Sequence, residues 1–304
     1  MGHHSHHAHG ATGKVLFGSL VLTVAFVVFE AIAGFRAGSL ALLSDAGHNF
    51  TDAVALLLAA IGFYLQSRPG DHVKTYGYQR AGVLVAFINA LVLVLLAGVL
   101  FYESYRRLIH PQRVAETTMM VVAGVGLALN LGIVWGLGGH GRDVNLRAAW
   151  LHMLGDAASS AGIIAGAIVI RYTGWQQIDP ALSILIGLGI LVSAWGIIQE
   201  TLNILLEGLP KGLMLADVTS ELCHVSGVID VHDLHIWSLG SEAHALSCHV
   251  MIEDMPPSAS ESILQKINGV LCDRFEIYHT TIQFEHSRCA LADTSCTVVN
   301  QHQH

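Results

Sequence analysis

The sequence predicts a membrane protein in which six transmembrane helices precede a small α+β domain. The chain of 304 residues is 53% hydrophobic and only 12% charged, with a mean hydropathy of +0.54, whereas soluble domains carry about twice that share of charge. Its apolar stretches have the length of a membrane span. Near residue 209 the composition changes, because charged residues return there and all five cysteines lie beyond that point.

Six apolar stretches each approach the ~20 residues that cross a hydrocarbon core of ~30 Å. They cover residues 15–35, 41–65, 81–105, 118–138, 146–170 and 178–204. The first is too long for the apolar region of a signal peptide and is followed by five others, so we interpret it as a helix of the mature protein. We therefore expect an all-α transmembrane domain over residues 15–208.

The last third of the chain predicts a soluble domain. Pro and Gly in LPKG, residues 209–212, are expected to interrupt the last apolar stretch. The pattern beyond it predicts the order helix, strand, strand, helix, strand over residues 213–226, 228–239, 243–254, 258–275 and 277–286. Residues 209–288 are thus expected to form an αββαβ domain, and residues 289–304 a flexible tail.

Charge and cysteine usage indicate the orientation. The distribution of Lys and Arg among the loops weakly favours termini on the cytoplasmic side. An odd and unpatterned set of cysteines suits the reducing cytosol better than a disulfide framework. The net charge of -8 argues against nucleic acid as a partner. We expect a multi-pass protein of the bilayer with both termini and the soluble domain in the cytoplasm.

A repeated motif places polar residues inside two of the apolar stretches. HNFTD puts His48 and Asp52 in the second stretch, and HMLGD puts His152 and Asp156 in the fifth. A spacing of four residues stacks both side chains on one helix face. With three helices in each half, the second half enters the membrane with reversed polarity, so both copies are expected near the bilayer midplane of an inverted 3+3 arrangement.

Two histidines and two carboxylates are a donor set that suits tetrahedral Zn²⁺. One His–Asp pair is explained as well by a structural hydrogen bond, but two copies in matched helices favour a metal site, because charged groups are costly in a membrane. Asp45 lies on nearly the same helix face, either as a partner that orients the ligands or as a proton acceptor. Cadmium, cobalt and nickel accept similar donors, so the sequence leaves the metal open.

Six segments carry a family resemblance over nearly the whole chain: SDAGHNFTD, TYGYQRAGVL, LHMLGDAASS, DPALSILIG, LLEGLP and VHDLHIWSLG. The chain resembles the cation diffusion facilitator family, in its bacterial zinc, cadmium and cobalt efflux branch. The resemblance implies a homodimer in the bacterial inner membrane that exports zinc in exchange for protons. It also implies six transmembrane helices and a metallochaperone-like cytoplasmic domain in each protomer, with the residues of the repeated motif as the transport site.

The resemblance extends to the soluble domain and its connection to the membrane. His232 and His249 match positions where the family binds zinc, and Glu285 matches a carboxylate that can be shared across the dimer. Arg80 and Glu207 match a charge pair that joins helix three to the end of helix six in the family.

The two ends of the chain contain further candidate ligands. His286, Cys289 and Cys296 resemble tail residues that join a second zinc in some relatives, but a flexible tail with spare cysteines is the favoured interpretation. The run GHHSHHAHG within residues 1–14 reads either as an affinity tag or as a native tail that gathers zinc.

One loop departs from the family pattern. Some relatives bind metal between helices two and three through an Asp and two His. Here Asp71 and His72 remain, but Lys74 and Tyr78 stand where the family has histidines. The sequence therefore predicts no metal in this loop.

The predicted function is metal efflux, with zinc as the cargo, protons as the counter-ion and no catalytic residues. An intramembrane zinc hydrolase is one alternative, but such an enzyme keeps a coordination position for water and needs a general base, whereas four protein ligands fill the shell here. A passive metal channel is another, and it would bind weakly at several successive sites.

Overall fold

A computed structural model describes residues 8–66, 68–136, 144–240 and 243–287 of the chain. Six long helices come first: α1 (Ala8–Ala37), α2 (Leu40–Gln66), α3 (Ala81–Ile109), α4 (Glu116–Gly136), α5 (Val144–Thr173) and α6 (Ile178–Leu205). They are followed by α7 (Leu215–Cys223), β1 (Val228–Ser238), β2 (His244–Ile252), α8 (Pro257–Phe275) and β3 (Ile277–Glu285). Each predicted apolar stretch thus overlaps a helix.

A helical membrane domain is confirmed. By length and composition, four helices within the described residues can cross a membrane, namely α3, α4, the part of α5 from Trp150 to Thr173, and α6. Large apolar side chains on these helices are exposed, as contact with lipid requires, among them Leu95, Trp135, Leu185 and Val192. The count of six crossings and the inverted 3+3 arrangement stay predictions.

The chain forms two compact units. The first contains α1, α2 up to residue 58, α3 from residue 88, α4, α5 and α6 up to residue 197. Two apolar clusters hold this unit together. One joins α2, α4 and α5 through side chains such as Leu42, Met119 and Ile163. The other joins α3 and α6 through Leu93, Leu100 and Ile190.

The end of α6 lies within one residue of the predicted stretch 178–204, but a cap ends the helix before the Pro and Gly of LPKG are reached. The helix stops at Leu205, before the LPKG segment. Glu207 adopts a left-handed conformation with φ of 60°, and the N–H of Gly208 donates to the carbonyl of Asn203 at 2.8 Å. A Cβ atom at Gly208 would collide with the Asn203 side chain, which would have to move to admit any other residue. A local C-capping motif therefore ends the helix, and Pro210 lies beyond it.

The second unit contains the soluble domain together with residues 59–87. Its sheet has the order β1-β2-β3, with β1 antiparallel and β3 parallel to β2. Because parallel neighbours need a crossover connection, α8 links β2 to β3. Apolar residues of both helices and the sheet form one core, including Val218, Leu222, Leu246, Val250, Ile267 and Leu271. The predicted αββαβ order is confirmed.

Candidate metal-binding sites

Helices α2 and α5 bring the four residues of the repeated motif together in the first unit, and we call them the membrane cluster. His48 Nε2 lies 3.7 Å from Asp52 Oδ2 and 3.6 Å from Asp156 Oδ1. His152 Nε2 lies 3.3 Å from Asp52 Oδ2 and 3.8 Å from Asp156 Oδ2. Each imidazole therefore faces the carboxylate of its own helix and that of the other helix.

The spacing within the membrane cluster suits a tetrahedral ion. Ligand atoms ~2.0–2.1 Å from Zn²⁺ lie about 3.3–3.5 Å from one another at tetrahedral angles. The observed distances are near this value and exceed the ~3.2 Å limit of an ordinary hydrogen bond. Within the described part of the chain, Asp52 Oδ2 is buried and accepts no hydrogen bond, although both imidazoles approach it. A divalent cation held by His48, Asp52 and His152, whose donor atoms lie within 4.8 Å of one another, would satisfy this oxygen. Asp156 lies beside them, with Oδ1 towards His48 and Oδ2 towards His152.

Buried acidic groups surround the membrane cluster. Asp45 on α2 is 2% exposed and accepts a hydrogen bond of 2.6 Å from the hydroxyl of Ser159 on α5. This contact joins the two helices that carry the ligands. Glu30 on α1 is fully buried and accepts a hydrogen bond of 3.4 Å from the side chain of Asn49. The role of Asp45 as an orienting partner or a proton acceptor stays a prediction.

A second group of candidate ligands lies on the sheet, and we call it the cytoplasmic cluster: His232, His249 and Glu285. His232 on β1 is directly opposite His249 on β2 in the antiparallel register. Glu285 on β3 points between them, with Oε2 3.2 Å from His232 Nε2 and Oε1 3.0 Å from His249 Nδ1. The parallel pairing of β2 and β3 sets this position, since Glu285 is opposite Met251, two residues from His249.

The cytoplasmic cluster also fits a metal ion. Its three donor atoms lie within 4.8 Å of one another. His232 Nε2, His249 Nδ1 and Glu285 Oε2 are buried and form no hydrogen bond to any residue that the structure describes. Converging donors that are unsatisfied in this way are costly to bury unless an ion or solvent engages them.

Asp233 is a neighbour of this cluster that the sequence analysis missed. It has a left-handed backbone with φ of 50° and lies at an irregularity of the β1–β2 pairing between His232 and His235. Its carboxylate lies 3.0 Å from His235 Nε2 and 3.7 Å from His249 Nε2. A carboxylate beside the ring nitrogen that faces away from the metal can orient a histidine ligand. The one sequence signal is the residue type, because Asp tolerates a left-handed backbone.

The predicted charge pair is in contact. Nη1 and Nη2 of Arg80 each lie 3.2 Å from Glu207 Oε1, and Nη2 donates to the carbonyl of Ser238 at 3.4 Å. The Glu207 side chain is 64% exposed, so solvent weakens this ion pair. Its locking role stays a prediction.

In the loop between α2 and α3, Asp71 is engaged by its own neighbours. Its carboxylate accepts hydrogen bonds from the N–H groups of Lys74 at 2.6 Å and Val73 at 2.7 Å, and from the Tyr78 hydroxyl at 3.2 Å. The backbone donors of Lys74 and Val73 hold the pKa of Asp71 below its usual value. Asp71 therefore organises the loop.

The remaining candidate ligands lie at or beyond the limits of the described chain. His286 is exposed, directly after β3. Cys289 and Cys296 lie outside the described residues, as do the histidines before residue 8. In the soluble domain Cys248 is buried, which raises the pKa of its thiol to about 12 and makes it a poor metal ligand.

Comparison with known proteins identifies the family of the chain. The cation efflux transmembrane domain family matches residues 16–206, and the cytoplasmic domain family of cation efflux proteins matches residues 210–287. A cadmium, cobalt and zinc/H(+)-K(+) antiporter from Bacillus velezensis is 38% identical over 313 residues, covering 100% of both chains. The metal cation efflux system protein CzcD from Cupriavidus metallidurans is 40% identical over 293 residues, covering 96% of this chain and 92% of its own. The zinc transporter ZitB from Pectobacterium atrosepticum is 38% identical over 307 residues, covering 100% of this chain and 94% of its own.

Proposed function

This chain belongs to the cation efflux family, and on that premise we propose that it exports Zn²⁺ from the cytoplasm in exchange for protons. The relatives described above are metal efflux systems, a zinc transporter and an antiporter, which supports a transporter rather than an enzyme. The proposed working unit is a homodimer in a bacterial inner membrane with both termini in the cytoplasm. The cytoplasmic domain that follows α6 supports this orientation.

The membrane cluster is the observation that carries the proposal. Two carboxylates balance the charge of one divalent cation, and two neutral imidazoles complete its tetrahedral shell without adding charge. The loaded site therefore has no net charge, which reduces the cost of holding an ion among apolar helices. Nitrogen donors favour Zn²⁺ over Mn²⁺, and Cd²⁺ and Co²⁺ are secondary cargoes of the same donor set.

Proton exchange follows from the same four side chains. Zinc binds neutral imidazole and ionised carboxylate, so loading releases any protons that the ligands hold. Once the ion has left, two adjacent carboxylates among apolar helices require compensating positive charge. Protons supply that charge and reset the empty site, which makes them both competitors of zinc and the counter-ion of its transport.

For the transport cycle we propose alternating access between two inverted halves, α1–α3 and α4–α6. Helices α2 and α5 are the middle helices of the two halves, and both carry a pair of ligands. An ion bound between the halves faces one side of the membrane at a time as they rock around it. The equivalent placement of HNFTD and HMLGD supports this arrangement.

The cytoplasmic cluster is proposed to regulate transport. His232, His249 and Glu285 would hold a resident Zn²⁺ with three ligands from one chain, leaving a fourth position for water or the partner protomer. Bound there, the ion would cross-link all three strands of the sheet. If this changes the affinity of the membrane site, the reverse influence must be equal in size.

Zinc uptake into sealed vesicles tests the proposal. Purified protein is reconstituted with an acidic interior, and Zn²⁺ accumulation is followed with a trapped fluorescent indicator, with and without the pH gradient. We expect accumulation above the external concentration only with the gradient, accompanied by alkalinisation of the interior. Uptake that merely equilibrates zinc, whatever the gradient, would indicate a channel. No uptake by correctly folded protein would reject transport.

A further inference from the structure

The DPALSILIG segment opens α6 and contains a buried carboxylate to which the transport mechanism gives no role. Asp179, in the first turn of α6, is fully buried. Its Oδ1 accepts hydrogen bonds from the Ser39 hydroxyl at 2.5 Å and the N–H of Ala41 at 3.1 Å. Its Oδ2 accepts from the N–H of Leu40 at 2.7 Å. Both oxygens are thus directed at the start of α2, about 139 positions away in the chain.

Asp179 and Ser39 together cap α2. The first N–H groups of a helix have no partner within the helix. Asp179 accepts those of Leu40 and Ala41, while the Ser39 hydroxyl accepts that of Leu42 at 3.2 Å. A carboxylate at this position also interacts favourably with the positive end of the helix dipole. Cap residues normally belong to the helix they cap, but here much of the cap comes from another helix.

A second contact joins the same two helices one turn further along each. The hydroxyls of Ser44 on α2 and Ser183 on α6 are 2.6 Å apart, and both residues are fully buried. Leu182 and Ile186 of α6 also pack against the apolar cluster that contains α2. Contacts on two successive turns restrict both the rotation of α2 and its movement along its own axis.

We propose that Asp179 is a positioning residue for metal binding in the membrane. By capping α2 from α6, it sets the rotation and depth of the helix that carries His48 and Asp52. His48 lies eight residues beyond Leu40, about 12 Å along the helix. A rotation of α2 at its capped end would therefore change the distances from His48 and Asp52 to the two ligands on α5. The inference rests on the proposed transport site.

Substitutions in α6 and at the start of α2 can distinguish an effect on the position of α2 from an effect on the stability of the fold. Asp179→Ala removes all three hydrogen bonds. Asp179→Asn keeps the shape, but whichever way its amide is turned, one N–H₂ group faces N–H or O–H donors. Ser39→Ala removes one of the three bonds to Asp179 and also the bond from the N–H of Leu42 to the Ser39 hydroxyl. Glu200→Gln makes the same acid-to-amide change as Asp179→Asn at an exposed position of the same helix, and serves as the matched control.

Metal binding is measured on the full-length protein with His232 and His249 both replaced by Ala, so that the membrane cluster dominates. Zn²⁺ affinity is obtained by competition with a chromophoric chelator, and ligand geometry from the visible absorption of bound Co²⁺. We expect about tenfold or greater loss of affinity and an altered Co²⁺ spectrum for Asp179→Ala. The loss of Zn²⁺ affinity should be smaller for Asp179→Asn and smaller again for Ser39→Ala. Glu200→Gln should bind Zn²⁺ with unchanged affinity. In vesicles the half-saturating zinc concentration should rise more than the maximal rate falls.

The outcomes distinguish this inference from the proposed function. If the background protein with Asp179 intact binds no metal through the membrane cluster, the transport site is wrong and the inference fails with it. If that protein binds normally and Asp179→Ala lowers only the melting temperature, with the same affinity and Co²⁺ spectrum, then Asp179 is a structural cap and the inference alone is wrong.

Discussion

The two candidate metal sites differ in the spacing of their ligands. In the membrane cluster the nitrogen-to-oxygen distances run from 3.3 to 3.8 Å, close to the separation of two ligands of one tetrahedral ion. In the cytoplasmic cluster Glu285 lies 3.2 and 3.0 Å from the two imidazoles. The cytoplasmic donors are thus slightly closer together, although both sites bring three donor atoms within 4.8 Å of one another.

The sites also differ in charge and in the elements that carry them. The membrane cluster has two carboxylates on two helices, and in the proposed cycle a relative movement of those helices opens it to either side of the membrane. The cytoplasmic cluster has one carboxylate in its ligand set and is built on adjacent strands, which hydrogen bonds hold in register. A neutral site between movable helices suits an ion that must leave again, and a site on a paired sheet suits one that stays.

The largest effect is expected from removing a carboxylate of the membrane cluster. Asp52→Ala or Asp156→Ala leaves the loaded site with excess positive charge and three ligands, so gradient-driven zinc accumulation should fall by about 100-fold or more. Vesicle uptake measures the loss, with Glu200→Gln as the control. Glu285→Ala should leave substantial transport. Equal losses from both clusters would contradict the division between them.

Zinc binding at the membrane cluster should depend on pH. We expect zinc affinity at the membrane cluster to fall about tenfold per pH unit for each proton displaced as pH drops from about 8 to 6. The sign follows because the empty site binds more protons than the loaded one. His48→Ala removes one titrating ligand and should make the slope shallower while weakening binding. Calorimetry in several buffers counts the released protons, and a flat profile with no proton release would contradict antiport.

Metal selectivity provides a smaller and more specific test. Replacing one nitrogen donor by oxygen in His48→Asp relaxes the preference for Zn²⁺ and should raise the ratio of Cd²⁺ to Zn²⁺ transport several-fold. Competition between the two ions in vesicles measures this ratio. The corresponding substitution His249→Asp in the cytoplasmic cluster should leave the ratio unchanged. If His48→Asp also leaves it unchanged, His48 is not a direct ligand.

The smallest effect is expected from the cytoplasmic cluster. Replacing His232 and His249 together by Ala should slow transport or raise the half-saturating zinc concentration by a few-fold, while metal binding at the membrane cluster persists. A matched pair of exposed histidines, His224 and His279, replaced in the same way, controls for loss of surface charge. Complete loss of transport by a folded and dimeric double variant would show that this cluster is part of the transport pathway.

Much of the architecture could be predicted from local patterns. Apolar stretches of membrane length predicted the helices, and alternating polar and apolar residues predicted the αββαβ order, since both depend on periodicity along a few turns or one strand. The spacing of four residues in HNFTD and HMLGD predicted which side chains share a helix face. The end of α6 was predicted within one residue, but its cause was not, because Pro210 is a stronger sequence signal than the backbone cap formed by Glu207 and Gly208.

The candidate donor residues of the membrane cluster could be predicted from the sequence, because His and Asp are residue types that bind zinc and a spacing of four places both on one helix face. The cap that Asp179 forms on α2 and the approach of Asp233 to His249 were decided only in three dimensions. Both contacts join residues of separate elements, and no local propensity encodes the packing of α6 against α2 or the irregularity in β1. Local chemistry therefore predicted the candidate ligands, and long-range packing decided which other groups lie beside them.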